Sequence, residues 1–588
     1  MLAIIAIVAI LTLGGVLAFG LIYQKSLLHP QQKLITVSAS GYASVHPSEG
    51  VVNLYITGSG PSSEEALSNL SVSLSMMNSS ISEYIGGNTS NINTKGYQLY
   101  KEYNKTLYVA RETVEITIPN ATNMGSVLGV LSKINTVGVS SAMFEPSYGQ
   151  IRNLTKAALE DAIIVTQNRE RSIGRGDIAI SDGKIEKVGS RLKGPSHRTI
   201  ECGGRMLAVP GFINTHCHIP MSPLKGMLDC VGLEEFLSAT SDFDRRNSKE
   251  LVYYSSILGI MEMIRGGITD FVDFYYNEDA VKAAVEALSY KAHLAWVTLD
   301  RDKTTQRGDP ISNAERFVKS VAGSKSVEPM IAVQGVYAAG KETYSAALDI
   351  AKENGVMTTT HISETQQEVK ECKKRYRTTP VGFLDRIGFL NKRLLAAHCV
   401  WISRREAALL SKCAGVSYNP TSNMKLSSGV SPIMDLVEQG TNVTLGTDSV
   451  ASNDSLSMLN EMKYGNLVQR ICRGSYALTA QQTLDFATLN ASIALGSGAG
   501  SIEAGRPADI AILSPESFQG VKGREINWIV YSAGRDNVVA TIVNGNVLYY
   551  NGFDEKARTL GKKAERYLEA KKGNKSSGSL SKEQRESK

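Results

Sequence analysis

Hydrophobic and polar positions divide the chain into stretches of different period. Residues 2–23 (LAIIAIVAILTLGGVLAFGLIY) carry no charge and, as a helix, are long enough to cross ~30 Å of hydrocarbon. No Lys or Arg precedes the run and no small-x-small site ends it, which favours an uncleaved anchor (1–24) over a signal peptide. Ile35–Val45 and Val51–Ile56 alternate with the period of two of a half-buried strand pair. Ser62-x-x-Glu65 offers a capping box, and Leu67, Leu70, Leu74, Met77, Ile81 and Ile85 then recur at helical spacing. Further strands are predicted near 96–101, 107–118 and 138–146, making 34–160 a small α+β domain. Leu154–Ala162 reads as the start of a helix running without a linker into a strand at Ile163. That junction is a compact fusion or an artificial join.

Beyond it, short strands fill 163–209 (Ile163–Val165, Asp177–Ile180, Lys184–Val188 and Arg198–Ile200) and return at 504–553 (Asp509–Leu513, Val538–Val543 and Val547–Tyr550). Asn544-Gly545 supplies a hairpin turn in the second set. These two segments predict one composite β-sandwich. Between them, over 210–503, eight strand-like runs (212–216, 268–273, 292–299, 329–336, 356–361, 394–398, 415–419 and 442–447) alternate with helical stretches. Eight β/α units in about 235 residues predict a (β/α)8 TIM-type barrel, so the fold class is α/β. The polar tail, 554–588, predicts at most one short helix near 556–570.

Composition narrows the function. The net charge is +6, and 554–588 holds 11 Lys/Arg against 6 Asp/Glu, so the body is near neutral. A nucleic-acid partner, which needs basic residues clustered on a folded face, is excluded. Seven cysteines, all after residue 200 and without framework spacing, read as buried thiols of a reducing compartment. Six Asn-x-Ser/Thr sequons crowd residues 69–153 and suit an extracytoplasmic surface instead. The expected location is therefore a single-helix membrane anchor, with its side left open.

The chemistry is concentrated at predicted strand ends. His216 and His218 stand two apart, on one face of strand 1, while Cys217 turns to the other face. His361, His398 and Asp448 each close their own apolar run. Barrel active sites lie at the C-terminal ends of the strands, where all five fall. Three neutral imidazoles and a carboxylate suit Zn²⁺, with Fe²⁺ as the nearest competitor, so the predicted metal ligands are His216, His218, His361 and Asp448. A coordinated water would have its pKa lowered towards ~7. Glu364, three residues past His361, could carry a proton between water and substrate, or could simply favour a helix N-terminus. His398 would hydrogen-bond the attacking oxygen, and Asp448 would take its proton.

Two resemblances follow from these motifs. ITVSASGYASVHPSEGVVNLYI, the helix after Gly60-Pro61 and YVARETVEITI resemble the SIMPL family, which implies an exported or tethered module of undefined activity. PGFINTHCHIPM, TTHISETQQEV, AAHCVWIS, YNPTSNMKLSSGV, LGTDSVASND, ATLNASIALG and GSIEAGRPADIAIL resemble the amidohydrolase superfamily, in its methylthioadenosine/S-adenosylhomocysteine deaminase branch, across about 163–552. This resemblance implies hydrolytic deamination of an adenine ring in a nucleoside substrate. Glu364 would protonate the ring nitrogen, and a homo-oligomer is implied as well. Substrate contacts would be Glu364 and Asp448, with Asp244 where the family has a ribose-binding Glu, and Gln334 where it has a His. The rival readings are a related enzyme acting on guanine, cytosine or a triazine, and a membrane-tethered scaffold with a non-catalytic barrel.

Overall fold

The computed structural model describes residues 49–85, 91–101, 107–145, 157–192, 196, 198–515 and 521–576. The predicted anchor (1–24) and the strand Ile35–Val45 lie outside them. Among the described residues no helix is long and apolar enough to cross a membrane. The expected membrane-anchored location is corrected accordingly, and the membrane contact and homo-oligomer gain no support.

The N-terminal module is an antiparallel sheet of β1 (Glu49–Gly60), β2 (Ile92–Lys101), β3 (Tyr108–Ile118) and β4 (Val137–Glu145) in the order β2-β3-β1-β4. The helix Ser63–Ile81 begins where Ser62 Oγ accepts the Glu65 N–H at 3.2 Å. It buries Leu70, Met77 and Ile81 with Val52, Leu54 and Ile56 of β1, while Leu67 of the predicted stripe faces out at 40% exposure. The helix crosses the strand at Gly58, where an added Cβ would lie 2.1 Å from Leu70 N.

The predicted helix at Leu154–Ala162 is instead the strand β5 (Ala157–Val165). Leu159, Ala162 and Ile164 all enter one core. Their uneven spacing, which hid the strand, comes from a bulge: the register slips between Leu159 and Ala162, and Asp161 takes φ 56°. The Asp161 N–H is satisfied by Asp177 Oδ1 at 2.8 Å.

The two flanking segments pair into one sheet rather than two facing ones. β5, β6 (Ile173–Ser181), β7 (Lys184–Gly189), β8 (Arg198–Glu201) and β9 (Leu207–Pro210) join β18 (Ile510–Leu513), β19 (Val538–Val543) and β20 (Asn546–Tyr550). The order is β20-β19-β18-β9-β5-β6-β7, with β8 on β5. The sheet folds back on itself: the Ile185 N–H donates to Arg506 O at 2.9 Å and the Gly505 N–H to Ile185 O at 2.7 Å.

The barrel strands are β10 (Phe212–Cys217), β11 (Ile268–Tyr275), β12 (Ala292–Thr298), β13 (Val327–Val333), β14 (Met357–Ile362), β15 (Leu394–His398), β16 (Gly415–Tyr418) and β17 (Val443–Leu445). Each pairs in parallel with the next, in chain order. Their near-continuous burial is what parallel strands covered on both faces require. Closure from last to first is a single bridge between Cys217 and Asp448, with the Asp448 N–H donating to His216 O at 2.8 Å. The tail departs from expectation: Glu555–Ser576 is one helix of 22 residues. It is docked on the helix Lys249–Arg265 through buried Ala564 and through Tyr567, whose ring lies 4.6 Å from that of Tyr254.

Candidate active site

The four histidines and the aspartate singled out from sequence meet at the C-terminal mouth of the barrel. His216 is the last but one residue of β10, and His218 follows the strand. His361 belongs to β14, His398 ends β15, and Asp448 follows β17. All five are buried. Asp448 Oδ1 lies 3.0 Å from His218 Nε2 and 3.6 Å from His216 Nε2. His361 Nε2 lies 3.2 Å from His216 Nε2. His398 stands slightly apart, its Nε2 3.8 Å from Asp448 Oδ2 and 3.8 Å from Glu364 Oε2.

Backbone geometry delivers these side chains. Ser363, His398 and Asp448 take φ of 50°, 70° and 59°, left-handed values uncommon outside glycine and concentrated at functional sites. Where β14, β15 and β17 end, the chain turns sharply and aims one side chain inward. Gly446 is needed for a different reason: a Cβ there would come within 2.9 Å of His216 Cβ and closer still to Ser417 Oγ.

The donor set fits one divalent ion. The Nδ1–H of His218 donates to Phe274 O at 2.6 Å and that of His361 to Gln334 O at 2.7 Å. Each bond fixes the tautomer that leaves Nε2 as a lone pair. His361 Nε2 faces His216 Nε2 at 3.2 Å, an approach that suits a shared cation. Burial, reinforced by neighbouring imidazoles, holds His216 down to about 4 and His361 well below its usual range, so both are neutral. Burial opposes ionisation of Asp448 too, but His216 and His218 overcome it and hold the carboxylate well below its ordinary range. Neutral imidazoles and an anionic carboxylate are the forms a metal needs.

Glu364 is buried, which pushes its carboxyl above the usual carboxylate range against the pull of His398. Ser428 Oγ donates to Glu364 Oε1 at 3.3 Å. Glu364, His218, His361, His398, Asp448, Asp244 and Gln334 line one cavity of about 280 Å³, to which the described residues of the N-terminal module contribute nothing. Asp244, at the end of the helix Leu233–Arg245, accepts a hydrogen bond from Tyr275 OH, and burial lifts it to about 6. Gln334 serves twice: its carbonyl orients His361, and its amide Nε2 donates to Tyr337 OH at 3.1 Å.

Sequence reasoning missed four supporting groups. Asn423 Oδ1 accepts from His398 Nδ1 at 2.8 Å, and Ser422 Oγ donates to Asp448 Oδ2 at 2.5 Å. Glu368 accepts the Ser363 and Glu364 N–H groups at 3.1 and 2.7 Å. Phe274 packs its ring 4.4 Å from that of His361. A signal existed for three of these: Ser422 and Asn423 lie in the NPTSNMK run, and Glu368 follows Glu364 by one helical turn.

An eight-stranded parallel barrel with buried histidines and an aspartate at its mouth defines a metal-dependent hydrolase. The amidohydrolase family profile matches residues 207–548, and the chain belongs to that family and is a hydrolase acting on carbon–nitrogen bonds. The SIMPL profile, that of a protein of unknown function, matches residues 35–169. The chain is 34% identical over 390 residues to the 5-methylthioadenosine/S-adenosylhomocysteine deaminase of Pyrococcus furiosus, covering 65% of this chain and 93% of that protein. It is 35% identical over 386 residues to the 5'-deoxyadenosine deaminase of Methanothermobacter thermautotrophicus, covering 65% and 90%. Among solved structures, an adenosine deaminase from Xanthomonas campestris with bound zinc superposes with a TM-score of 0.65 at 24% identity, over 71% of this chain and 99% of that one. Atrazine chlorohydrolase from Arthrobacter aurescens, complexed with zinc, gives 0.65 at 22% over 70% and 100%. These two share the fold.

Proposed function

We propose that this enzyme is a hydrolytic deaminase of adenosine-type nucleosides with a modified 5' position, the class that includes S-adenosylhomocysteine, methylthioadenosine and 5'-deoxyadenosine. One observation carries the reading. Buried Glu364, 3.8 Å from His398, opens into the same cavity as His218, His361 and Asp448. The named activities of the relatives, 32–36% identical, support the same class.

His216, His218, His361 and Asp448 would hold the ion, and their N₃O donor set suits zinc. When bound, such an ion lowers the pKa of a water from 15.7 towards ~7. Glu364, whose carboxyl burial pushes above its usual range, donates a proton to the ring nitrogen beside the attacked carbon. His398 and Asp448 flank the entering oxygen and pass its first proton to the departing ammonia, and its second proton restores the Glu364 carboxyl as the carbonyl forms. Asp244 and Gln334, on the wall of the same cavity, are the substrate's polar contacts away from the reacting carbon.

Ammonia release by the purified, zinc-loaded chain tests this, with 5'-deoxyadenosine, methylthioadenosine, S-adenosylhomocysteine and adenosine set against guanine and cytosine, and against a chlorotriazine read by chloride release. Turnover of the first group is expected. A protein that binds metal yet releases ammonia from none of the adenosine nucleosides sinks the proposal. Turnover confined to another ring reassigns the substrate.

A further inference from the structure

The loop that carries Glu364 is gripped from two directions. From one side, the Ser363 carbonyl accepts the N–H groups of Val400 and Trp401 at 3.1 and 2.8 Å. From the other, both oxygens of Glu368 accept the consecutive N–H groups of Ser363 and Glu364. Ser363 is left-handed and its amide and the next point the same way, a backbone nest for an anion. The acceptor filling it is a carboxyl of the protein itself, which burial pushes up to about 8 against the pull of those two amides.

Glu368 is not performing the usual duty of a first-turn carboxylate. Its helix, Gln366–Tyr376, is already capped by Thr365 Oγ1, which accepts the Glu368 N–H at 3.1 Å. The carboxylate reaches back past that cap. Only 4% of Glu368 is exposed, and it is absent from the lining of the catalytic cavity, so it touches no substrate. Burying a carboxylate is costly unless it is well hydrogen-bonded, and here its bonds go to the residues that set the direction of Glu364.

We propose that Glu368 is the positioning residue for Glu364, its two carboxyl oxygens clamping the amides of residues 363 and 364 so that the Glu364 carboxyl stays aimed at the substrate ring. The proposal rests on the reading of Glu364 as the proton carrier. In Glu368→Gln one acceptor becomes an NH₂ facing a backbone N–H, so one arm of the clamp is lost.

The test measures kcat and KM for 5'-deoxyadenosine, bound metal and thermal midpoint in Glu368→Gln, Glu364→Gln and the double variant. Misplacing a reacting group by about 1 Å costs up to ~100-fold, so Glu368→Gln should lower kcat by roughly 10- to 100-fold. KM should stay within about 3-fold and bound metal should be unchanged. Because the effect runs through Glu364, the double variant should be no slower than Glu364→Gln alone. An inactive Glu364→Gln beside a fully active Glu368→Gln, or losses that multiply, overturns this proposal and leaves the role of Glu364 standing. A fully active Glu364→Gln overturns both. Should Glu368→Gln fail to fold, Glu368→Asp keeps the carboxyl, shortens the reach and is held to the same pattern.

Discussion

Replacing Lys291 by Met should destabilise the enzyme in a pH-dependent way. Lys291 precedes β12 at the end of the barrel away from the site, and its Nζ lies 3.4 Å from Asp270 Oδ2 and hydrogen-bonds Asp509 Oδ2. Asp270 is 2% exposed and Asp509 3%, and the latter also accepts the Asn544 N–H at 2.7 Å. The cluster thus ties the barrel to the composite sheet. Met retains the apolar stem and removes only the ammonium, leaving two buried carboxylates with His293 Nε2, 3.5 Å from Asp270, as the nearest basic group. Breaking a buried ion pair from one side costs about 3–5 kcal/mol. For a cooperative unit of about 400 residues, an unfolding entropy of ~2.1 cal/mol/K per residue converts 4 kcal/mol into a fall in Tm of about 5 °C. Burial pushes Asp270 up, but Lys291 and then His293 pull harder, so its folded pKa lies below the ordinary 3.8. A depressed carboxyl stabilises fully above its unfolded pKa, and that contribution is lost only as pH falls through the folded value. Without Lys291, burial dominates and the folded pKa rises, a penalty that is full at neutral pH and shrinks as pH falls towards that raised value. Calorimetry at about pH 7 and about pH 5.5 should therefore show the gap between wild type and variant narrowing on acidification. A gap below ~1 °C at neutral pH, or one that widens in acid, would refute the reasoning.

Three further outcomes follow from the site. Dialysis against a chelator should abolish ammonia release and lower Tm, and re-adding zinc or iron one at a time identifies the working ion by recovered turnover. Asp244→Asn should raise KM for nucleosides by about 10-fold, the loss of a charged hydrogen bond, with kcat nearly unchanged; an equal fall in kcat would place Asp244 in the chemistry instead. Asn423→Ala orphans the buried Nδ1 of His398 and should lower kcat by roughly 10-fold or more, with bound metal unchanged by elemental analysis.

Sequence carried the barrel because its strands are buried on both faces. Runs such as Leu394–His398 read as continuous apolar segments ending in one polar residue, which marks the strand and its chemical end together. His216 and His218 were visible as a pair because strand period and ligand spacing coincide. Other features depended on contacts that no local pattern records. The bulge at Asp161 broke the alternation of β5 and made it look helical. The tail looked like a solvated Lys/Glu tract, yet Leu560, Ala564, Tyr567 and Leu568 recur every three or four residues and dock on the barrel's own helix. The composite sheet folds back through bonds between residues some 320 apart, such as Ile185 to Arg506. Glu368 and Asn423 gain meaning only from the backbone and ring they hold.

Barrel closure and chemistry meet in the same residues. β17 has only three residues and joins β10 through one bridge, so the seam between first and last strand is short of ladder bonds. Side chains compensate: Asn214 Nδ2 donates to Thr447 Oγ1 at 2.7 Å, Asn214 Oδ1 accepts the Thr447 N–H at 3.0 Å, and Thr215 Oγ1 donates to Leu445 O at 2.9 Å. The next groups along that seam are His216, His218 and Asp448. A cation held by them would join the two ends of the barrel as well as activate water, and its binding energy would appear in folding. The shortest backbone pairing thus sits beside the His/Asp donor set: the buried Asn/Thr network does there what hydrogen-bonded ladders do between the other strands, and a bound ion would add to it.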